Sequence, residues 1–218
     1  MIVNEIFSSI DGEGIRQGEL ATFIRFAGCN LRCSYCDTKY AQKEEQGTKK
    51  SVDEIISIIS KLKNRNITIT GGEPLLQPKL LELVKKLVEL GYYINIETNG
   101  SINIKPFQLK NVIITMDYKT SSSLMINKMK IQYLNFLRPQ DVLKFVIGTK
   151  EDMKDVKRVL KQVKIKSYIY LSPVFNEIEP SKLVDFLKGL NEEGIDTSKT
   201  RVQIQLHKVI WDSEMRGV

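Results

Sequence analysis

Residues 21–38 read ATFIRFAGCNLRCSYCDT, a predicted strand over Ala21–Phe26 that runs directly into a loop containing Cys29, Cys33 and Cys36. These are the only 3 cysteines of the 218-residue chain, and their spacing is Cys-x3-Cys-x2-Cys. A secreted disulfide framework has an even number of cysteines at wider spacing. The cluster therefore indicates metal binding or redox chemistry in a reducing compartment, so we expect a cytoplasmic protein.

The cysteine spacing favours an iron–sulfur cluster. Thiolates are natural ligands of such clusters, and a short loop of this kind can wrap a 4Fe–4S cluster with three of them. Because there is no fourth cysteine, one iron is left for another ligand, and the amino and carboxylate groups of S-adenosylmethionine suit it. The alternative is a closed zinc site, which needs four ligands and would have to recruit His207, the only histidine.

The composition is that of an ordinary globular protein, at 42% hydrophobic and 27% charged residues. The length fits one domain over residues 1–218. No apolar run of about 18 residues is present, so no membrane span is expected, and the N-terminus does not resemble a signal peptide. The formal charge of +7 comes largely from lysines scattered along predicted helix faces. Without an RNA-binding motif, we expect no nucleic-acid partner.

Predicted strands and helices alternate along the chain. Ser51 with Glu54 forms a capping box for one helix, Thr149 is expected to cap another, and a third is predicted from Pro180 to about Leu190. Alternation implies parallel βαβ units with right-handed crossovers. The predicted strands are Ala21–Phe26, Ile67–Thr70, Tyr93–Glu97, Val112–Met116, Val142–Ile147, Tyr168–Leu171 and Arg201–Leu206.

The chain length decides between a closed and an open barrel. A full eightfold barrel typically takes about 250 residues, and roughly the first 20 residues here lie outside the repeats. We therefore expect an α/β fold, an incomplete and open barrel of about six strand–helix units with an N-terminal extension. Lys119–Lys130 is weakly patterned and is expected to be a mobile loop.

Three motifs follow neighbouring predicted strands and are expected to meet at their carboxyl ends. They are the cysteine loop, Gly71-Gly72-Glu73-Pro74 and Glu97-Thr98-Asn99-Gly100. Two glycines allow the backbone to approach a ligand closely, and Glu73 can accept a hydrogen bond from a ligand ammonium group.

The cysteine loop and the glycine-rich strand end resemble the radical S-adenosylmethionine superfamily. That resemblance implies that the three cysteines are the catalytic cluster ligands, that Tyr35 packs near adenine, and that Gly71, Gly72 and Glu73 bind the methionyl group. A second enzyme of this superfamily, one that activates a protein glycyl radical, has similar spacing and length, and pterin-dependent turnover distinguishes the two. A third alternative is a non-enzymatic Cys3His zinc module that binds RNA.

A closer resemblance, to the 7-carboxy-7-deazaguanine synthase family, runs the length of the chain. It rests on Ser9–Gly14, Phe23–Leu31, Cys36-Asp37-Thr38, Glu97–Gly100, Gln205–Lys208 and Arg216–Val218. It implies conversion of 6-carboxy-5,6,7,8-tetrahydropterin to 7-carboxy-7-deazaguanine with release of ammonia, on the route to queuosine and other 7-deazapurines. A 5′-deoxyadenosyl radical would abstract hydrogen from C6 and later recover it. The family also implies Mg2+, a homodimer and a reducing partner such as flavodoxin or ferredoxin.

The resemblance implies a role for each matching residue. Arg25 offers a planar bidentate donor for the substrate carboxylate, with an ion pair as the alternative. Thr38 offers a hard oxygen to Mg2+, with a loop hydrogen bond as the alternative. The implied substrate contacts are Ile10, Asp11, Gly12, Glu13, Arg25, Thr98 and Val218. The implied S-adenosylmethionine contacts are Tyr35, Cys36, Asp37, Gly71, Gly72, Glu73, Gly100, Asp117, Tyr118, Lys119, Ser172, Pro173, Val174 and Phe175.

Three positions depart from the family pattern. Asp11 and Ser172 stand where glutamine is usual or frequent, and Asp117-Tyr118-Lys119 replaces a common Ser-Pro-Lys. His207 is expected to be structural more often than catalytic, although histidine titrates in a range useful for proton transfer. Trp211 is expected to pack in the core or at an interface.

Overall fold

The computed structural model describes residues 1–218 and contains one nine-stranded sheet in the order β3-β1-β2-β4-β5-β6-β7-β8-β9. β1 pairs antiparallel with β2 and β3, whereas β2 and β4 to β9 are parallel to one another. β3 and β9 are free edges, so the sheet does not close and the predicted open barrel is confirmed. The strands are β1 (Ile2–Ile10), β2 (Leu20–Phe26), β3 (Thr48–Lys49), β4 (Asn66–Gly71), β5 (Tyr93–Thr98), β6 (Val112–Asp117), β7 (Val142–Ile147), β8 (Tyr168–Pro173) and β9 (Thr200–Val202).

Four long helices and one short one accompany the sheet. They are α1 (Val52–Leu62), α2 (Leu80–Glu89), α3 (Lys150–Gln162), α4 (Pro180–Glu192) and α5 (His207–Ile210). The Ser51 hydroxyl accepts from the backbone of Glu54, whose carboxylate accepts from Ser51 N at 2.7 Å. Thr149 and Asp152 form the same reciprocal cap on α3, so both predicted caps are confirmed. None of the helices has the length and apolar character needed to cross a bilayer.

Side chains of the parallel strands alternate between two environments, as the pleat requires. On one face apolar residues such as Ile69 and Ile96 are fully buried in the layer shared with the helices. The other face lines the barrel interior and is polar, with hydrogen bonds from Thr70 to Glu97 and from Thr115 to Asn95, both of 2.9 Å. The interior therefore offers charged and hydrogen-bonding groups to a ligand.

Arg16 closes the end of the barrel where the parallel strands begin. Its guanidinium donates to Tyr93 O and Ile67 O, both at 3.1 Å, and to Thr68 Oγ1 at 2.8 Å. Its Nε lies 3.0 Å from a carboxylate oxygen of Asp11, whose side chain is only 3% exposed. This group of contacts leaves the opposite end, where the strands finish, as the open mouth.

Three parts of the chain differ from the sequence-based expectation. The N-terminal extension is a 9-residue strand of the sheet. The strand predicted over Arg201–Leu206 ends at Val202, because Gln203 bonds to Gly14 O at 3.0 Å and draws the chain toward the N-terminal loop. Lys119–Lys130 contains two short 3-10 helices instead of a free loop, since Ser121 N donates to Asp155 of α3 at 2.9 Å.

Candidate active site

The cysteine loop follows β2 at the open mouth and is held by its own backbone. Gly28 N donates to Ala41 O at 2.9 Å, and Cys29 N donates to Gln42 O at 3.0 Å. All 3 thiols are free and partly buried. Burial, together with the charge of neighbouring thiols and carboxylates, raises the pKa of Cys29 and raises that of Cys33 to about 11. The loop thus gathers three thiols, of which Cys29 and Cys33 need a positive centre to become thiolates near neutral pH.

Gly71 and Gly72 allow the loop after β4 to pack directly on the cysteine loop. A Cβ atom at Gly71 would lie 2.1 Å from Phe26 O, and one at Gly72 would lie 2.2 Å from Gly28 O. Gly71 also has a φ of +137°, which L side chains rarely adopt. Since Gly72 N donates to Phe26 O at 2.9 Å, both glycines are needed to bring the two loops together.

Glu73 is fully buried and connects the end of β4 to the end of β5. Its carboxylate accepts from Thr98 Oγ1 at 2.8 Å, from Asn99 N at 2.7 Å and from Leu75 N at 3.0 Å. Burial raises its pKa to about 7, although these three donors act in the opposite direction. Three donors within the protein thus occupy this carboxylate, which offers about four acceptor positions, and the ligand contact of Glu73 stays a prediction.

Thr98 has the orientation opposite to the one predicted. It shares the face of Ile94 and Ile96, is 3% exposed and donates to Glu73, so its side chain does not line the interior. Glu97, one residue earlier, does face the interior together with Thr70. A substrate contact through the Thr98 side chain is therefore not supported by its orientation, whereas Glu97 and Thr70 do face the interior.

Asn99 and Gly100 complete the junction beside the cysteine loop. The Asn99 amide donates to Asn30 Oδ1 at 3.0 Å and approaches Cys29 Sγ at 3.9 Å. A Cβ atom at Gly100 would lie 2.8 Å from the Met116 side chain, which leaves no room for a larger residue. The ends of β2, β4 and β5 therefore meet as predicted from their motifs.

A line of alternating charges crosses the interior near the mouth. Lys144 Nζ on β7 lies 2.8 Å from Glu13 Oε2 and 4.0 Å from Asp117 Oδ2 on β6. Asp117 Oδ2 is in turn 2.9 Å from Lys119 Nζ, which lies 5.7 Å from the centre of the Tyr35 ring. This line joins the predicted substrate contact Glu13 to the predicted S-adenosylmethionine contacts in the cysteine loop.

The charges on this line stabilise one another. Burial opposes the charge of Lys144, but the carboxylates of Glu13, Asp117 and Glu97 outweigh it and hold the pKa of Lys144 above its usual value. Burial likewise opposes the charge of Lys119, whose pKa Asp117 raises. Both ammonium groups are therefore fixed cations near neutral pH.

Arg25 faces the interior from β2 and is only partly occupied by the protein. Its Nε donates to Glu5 Oε1 at 2.7 Å, the ion pair that the sequence left open. No other hydrogen bond to the protein is made by its guanidinium, whose two Nη groups are left for a ligand carboxylate. Tyr40 also donates to Glu5, at 3.2 Å, and so holds the pair in place.

Asp37 and Thr38 connect the cysteine loop to the C-terminal segment. Thr38 Oγ1 donates to Asp37 Oδ1 at 2.9 Å, and Asp37 Oδ2 lies 3.3 Å from Lys208 Nζ. Although burial alone would raise it, these contacts hold the pKa of Asp37 below its usual value. The pair forms an anionic oxygen-rich corner beside the cysteines, as a hard cation requires.

His207 lies in the site and not in the core. A Cβ atom at Gly12 would be only 2.1 Å from His207 Nδ1, so this glycine lets the imidazole approach the N-terminal loop. Burial lowers the pKa of His207, although Glu13 and Asp37 act in the opposite direction. The imidazole is therefore mainly neutral at pH 7 and available as a hydrogen-bonding group.

Other predicted residues contribute in different ways. The side chain of Asp11 is bound by Arg16 and Thr68, so it is not free for a ligand. The Tyr118 ring packs on Phe145, which turns its side chain away from the interior. In the segment after β8, Val174 is buried, and Lys208 lies 5.0 Å from the Phe175 ring centre. Ile10, Trp211 and Val218 are half-buried, and Pro173 ends β8.

Four buried polar atoms in the site lack a hydrogen-bond partner. They are Tyr35 Oη, Ser172 Oγ, Asp117 Oδ1 and Glu13 Oε1. Buried polar groups without partners are uncommon in folded proteins and mark positions where a ligand can bond. With three thiols at one mouth and these groups around it, the residues fit a cluster together with a polar cofactor. No group of three or more His, Cys, Asp or Glu side chains surrounds a single ion site.

Sequence reasoning missed Lys144, Thr70 and the role of Glu97. A signal was present for Lys144, since a lysine in the apolar run Val142–Ile147 is rarely buried unless it is paired. The orientation of Glu97 and Thr70 toward the interior was also predictable from strand alternation, because each residue lies one position away from a residue on the apolar face. Their mutual hydrogen bond depends on strand register, which the sequence does not specify.

Residues 23–187 match the sequence model of the Radical SAM superfamily. Among curated proteins, a 7-carboxy-7-deazaguanine synthase from Clostridium acetobutylicum is 44% identical, covering 99% of this chain and 98% of the relative. One of the same name from Methanospirillum hungatei is 35% identical over 96% of this chain and 85% of the relative. The crystal structure of QueE from Escherichia coli has a TM-score of 0.73 at 23% identity, covering 94% of this chain and 93% of that one, which supports the fold.

Proposed function

Because this chain belongs to the 7-carboxy-7-deazaguanine synthase family within the radical SAM superfamily, we propose that it is a lyase that forms 7-carboxy-7-deazaguanine. Its substrate is 6-carboxy-5,6,7,8-tetrahydropterin, and ammonia is released during ring contraction, in queuosine and 7-deazapurine biosynthesis. The observation that carries the proposal is the meeting of the cysteine loop, the partly free Arg25 and the Glu13–Lys144 pair at one mouth.

The cysteine loop holds the cofactors in this proposal. Cys29, Cys33 and Cys36 bind the 4Fe–4S cluster, which with S-adenosylmethionine supplies radical chemistry for hydrogen abstraction. Tyr35 and Lys119 flank the cofactor, and the unpartnered Ser172 Oγ provides a further hydrogen-bonding group. The remaining proposed contacts come from the loop after β4, from Gly100, and from the backbones of Asp117, Tyr118 and Pro173–Phe175.

The substrate is bound from the N-terminal loop and the strand interior. The two free Nη groups of Arg25 form a fork that matches the substrate carboxylate. Glu13, with an unpartnered Oε1, accepts from the guanidine-like edge of the pterin. Glu97 and Thr70 lie on the same interior surface, and Gly12 with Ile10 provides the backbone beside it. The half-buried Val218 is the remaining proposed substrate contact.

Thr38 is the proposed protein ligand of Mg2+. Its hydroxyl shares a hydrogen bond with Asp37, so an anionic carboxylate adjoins the proposed ion position. Mg2+ usually retains several waters and takes few protein ligands. One hydroxyl, supplemented by the substrate carboxylate and water, agrees with that preference.

The proposal also includes partners and location. The cluster needs a one-electron reductant such as flavodoxin or ferredoxin, and a homodimer is expected from the family resemblance. Three free thiols suit a reducing compartment, so the cytoplasm is the proposed location.

The test is anaerobic reconstitution with iron and sulfide, then incubation with dithionite, S-adenosylmethionine, Mg2+ and 6-carboxytetrahydropterin. Mass detection should find 7-carboxy-7-deazaguanine with the unaltered chain and none with Cys33→Ala. Lys154→Met, which removes an exposed lysine of α3, is the control and should retain full activity. Accumulation of 5′-deoxyadenosine without the deazaguanine would exclude this substrate, and failure to bind iron would exclude the enzyme class.

A further inference from the structure

Glu13 and Lys119 are joined by a two-residue bridge of side chains, Lys144 and Asp117. Lys144 Nζ bonds to Glu13 at 2.8 Å, and Asp117 Oδ2 lies 2.9 Å from Lys119 Nζ and 4.0 Å from Lys144 Nζ. The two ends of the bridge lie on different elements, the N-terminal loop and the segment after β6. The bridge itself consists of side chains from the adjacent strands β6 and β7.

All four side chains are largely removed from solvent. The exposed fraction is 12% for Glu13, 13% for Lys144, 22% for Asp117 and 11% for Lys119. Charges in such an environment interact more strongly than at the surface and are little screened by salt. A displacement of one of these charges therefore changes the electrostatic energy of its neighbour. The exposed Lys154–Glu151 pair has the same 2.8 Å separation, but its interaction is weakened by solvent.

The carboxylates of Glu13 and Asp117 each keep one oxygen without a hydrogen-bond partner. Glu13 Oε1 and Asp117 Oδ1 are buried and make no hydrogen bond, whereas the opposite oxygen of each contacts lysine. In each case the lysine engages one oxygen and leaves the other buried and free to accept a hydrogen bond. This arrangement positions acceptors instead of merely neutralising charge.

We propose that Lys144 and Asp117 are positioning residues that orient Glu13 toward the pterin and Lys119 toward S-adenosylmethionine, so that binding of the two ligands is coupled. The inference rests on the proposed function, which assigns Glu13 and Lys119 to these ligands.

The coupling has a direct electrostatic basis. Without the Lys144 ammonium, Glu13 would face the carboxylates of Asp117 and Glu97 with no cation between them, and it would turn away from its present position. Without the Asp117 carboxylate, Lys119 and Lys144 would repel each other across the interior. Either loss would therefore displace both Glu13, which faces the pterin in this proposal, and Lys119, which faces S-adenosylmethionine.

The test compares steady-state KM values for 6-carboxytetrahydropterin and S-adenosylmethionine in Lys144→Met, Lys144→Arg and Asp117→Asn. Removing a hydrogen bond to a charged group predicts a rise of roughly tenfold to hundredfold in the pterin KM for Lys144→Met. Lys144→Arg should recover most of that loss, because the charge is kept. Lys154→Met is the matched control, and cluster absorbance per protein verifies that each variant is assembled.

A double-variant cycle separates positioning from a general structural effect. If Lys144 acts through Glu13, Glu13→Gln/Lys144→Met should raise the pterin KM no more than Glu13→Gln alone. Asp117→Asn should raise the KM for S-adenosylmethionine. It should also abolish the coupling, so that the pterin KM no longer changes with the concentration of S-adenosylmethionine. It also serves as the readout if Lys144→Met does not assemble a cluster.

The outcomes are distinct from those for the proposed function. If the unaltered chain forms no 7-carboxy-7-deazaguanine, the proposed function fails. If it does, but Lys144→Met or Asp117→Asn leaves both KM values within about twofold, or the cycle with Glu13→Gln is additive, the positioning role is overturned while the function stands.

Discussion

The guanidinium of Arg216 lies 3.9 Å from the centre of the Tyr40 ring, which holds the C-terminal segment against the loop that follows the cysteines. Tyr40 in turn donates to Glu5, the ion-pair partner of Arg25. Arg25, which is proposed to bind the substrate carboxylate, is thus connected to the C-terminal segment through the ring of Tyr40.

Arg216→Ala should therefore weaken substrate binding without disturbing the cluster. A cation–π contact is worth about 0.5–2 kcal/mol, which predicts a rise of roughly 2- to 30-fold in the pterin KM. Arg216→Lys, which keeps the charge but not the plane, should be intermediate. Equal KM values for all three proteins, measured at matched iron content, would contradict this role.

Gly72→Ala should disrupt the site because its Cβ would meet Gly28 O at 2.2 Å. We expect the cysteine loop to be displaced, with loss of iron binding in reconstitution. Gly189→Ala in α4 is the matched control, since a Cβ there meets nothing within 4 Å and alanine favours a helix. The control should bind iron normally and be more stable by about 0.5–1 kcal/mol. Normal iron content in Gly72→Ala would be inconsistent with tight packing of the two loops.

Glu73 should make stability depend on pH between about 4.5 and 7, because burial raises its pKa to about 7 from 4.5. Protonated carboxyl is favoured in the folded state, so its contribution is greatest below pH 4.5 and falls as the pH rises to 7. Glu73→Gln removes this term. The free energy of unfolding of the unaltered chain, compared with that of Glu73→Gln, should therefore fall by up to about 3 kcal/mol as the pH rises from 4.5 to 7.

The measurement for Glu73 is urea unfolding of the cluster-free chain, followed by circular dichroism at a series of pH values. Cluster-free protein is used for both the variant and the unaltered chain because acid damages iron–sulfur clusters. A difference between them that is constant from pH 4.5 to 7, or that grows, would show that the pKa of Glu73 is not raised in the folded state.

Arg16→Met should strongly destabilise the closed end of the barrel. It would leave the 3%-exposed carboxylate of Asp11 without its cation, and breaking a buried pair in this way costs about 3–5 kcal/mol. The double variant Asp11→Asn/Arg16→Met removes both charges and should be more stable than Arg16→Met alone. Urea unfolding distinguishes the two, and a double variant as unstable as the single one would argue against the pair.

Local signals predicted much of this structure. The caps at Ser51 and Thr149 require only residues three positions apart, and the cysteine loop is contained in one short segment. The strands β2, β4, β5, β6, β7 and β8 were anticipated because their apolar runs are bounded by turns. The placement of the three motifs at one mouth followed from parallel topology alone.

The features that were not predicted depend on contacts between residues distant in sequence. β1 is a strand because β2 pairs with it, and the segment after Val202 leaves the sheet because Gln203 bonds to Gly14, 189 residues away. The family resemblance implies a substrate contact for Thr98, whereas alternation from Ile94 and Ile96 places its side chain on the opposite face. The Lys144–Glu13 pair joins residues 131 positions apart, which only the folded chain reveals.

The two edges of the open sheet are its shortest strands, with 2 residues in β3 and 3 in β9. Exposed strand edges are templates for pairing with another chain, and short edge strands are one way in which proteins limit aggregation. These edge strands cover their neighbours only in part, because β3 pairs with Ile2 and Val3 alone of the 9-residue β1. The rest of the outer side of β1 has no neighbouring strand, so this is the edge of the sheet on which a strand of another chain can add.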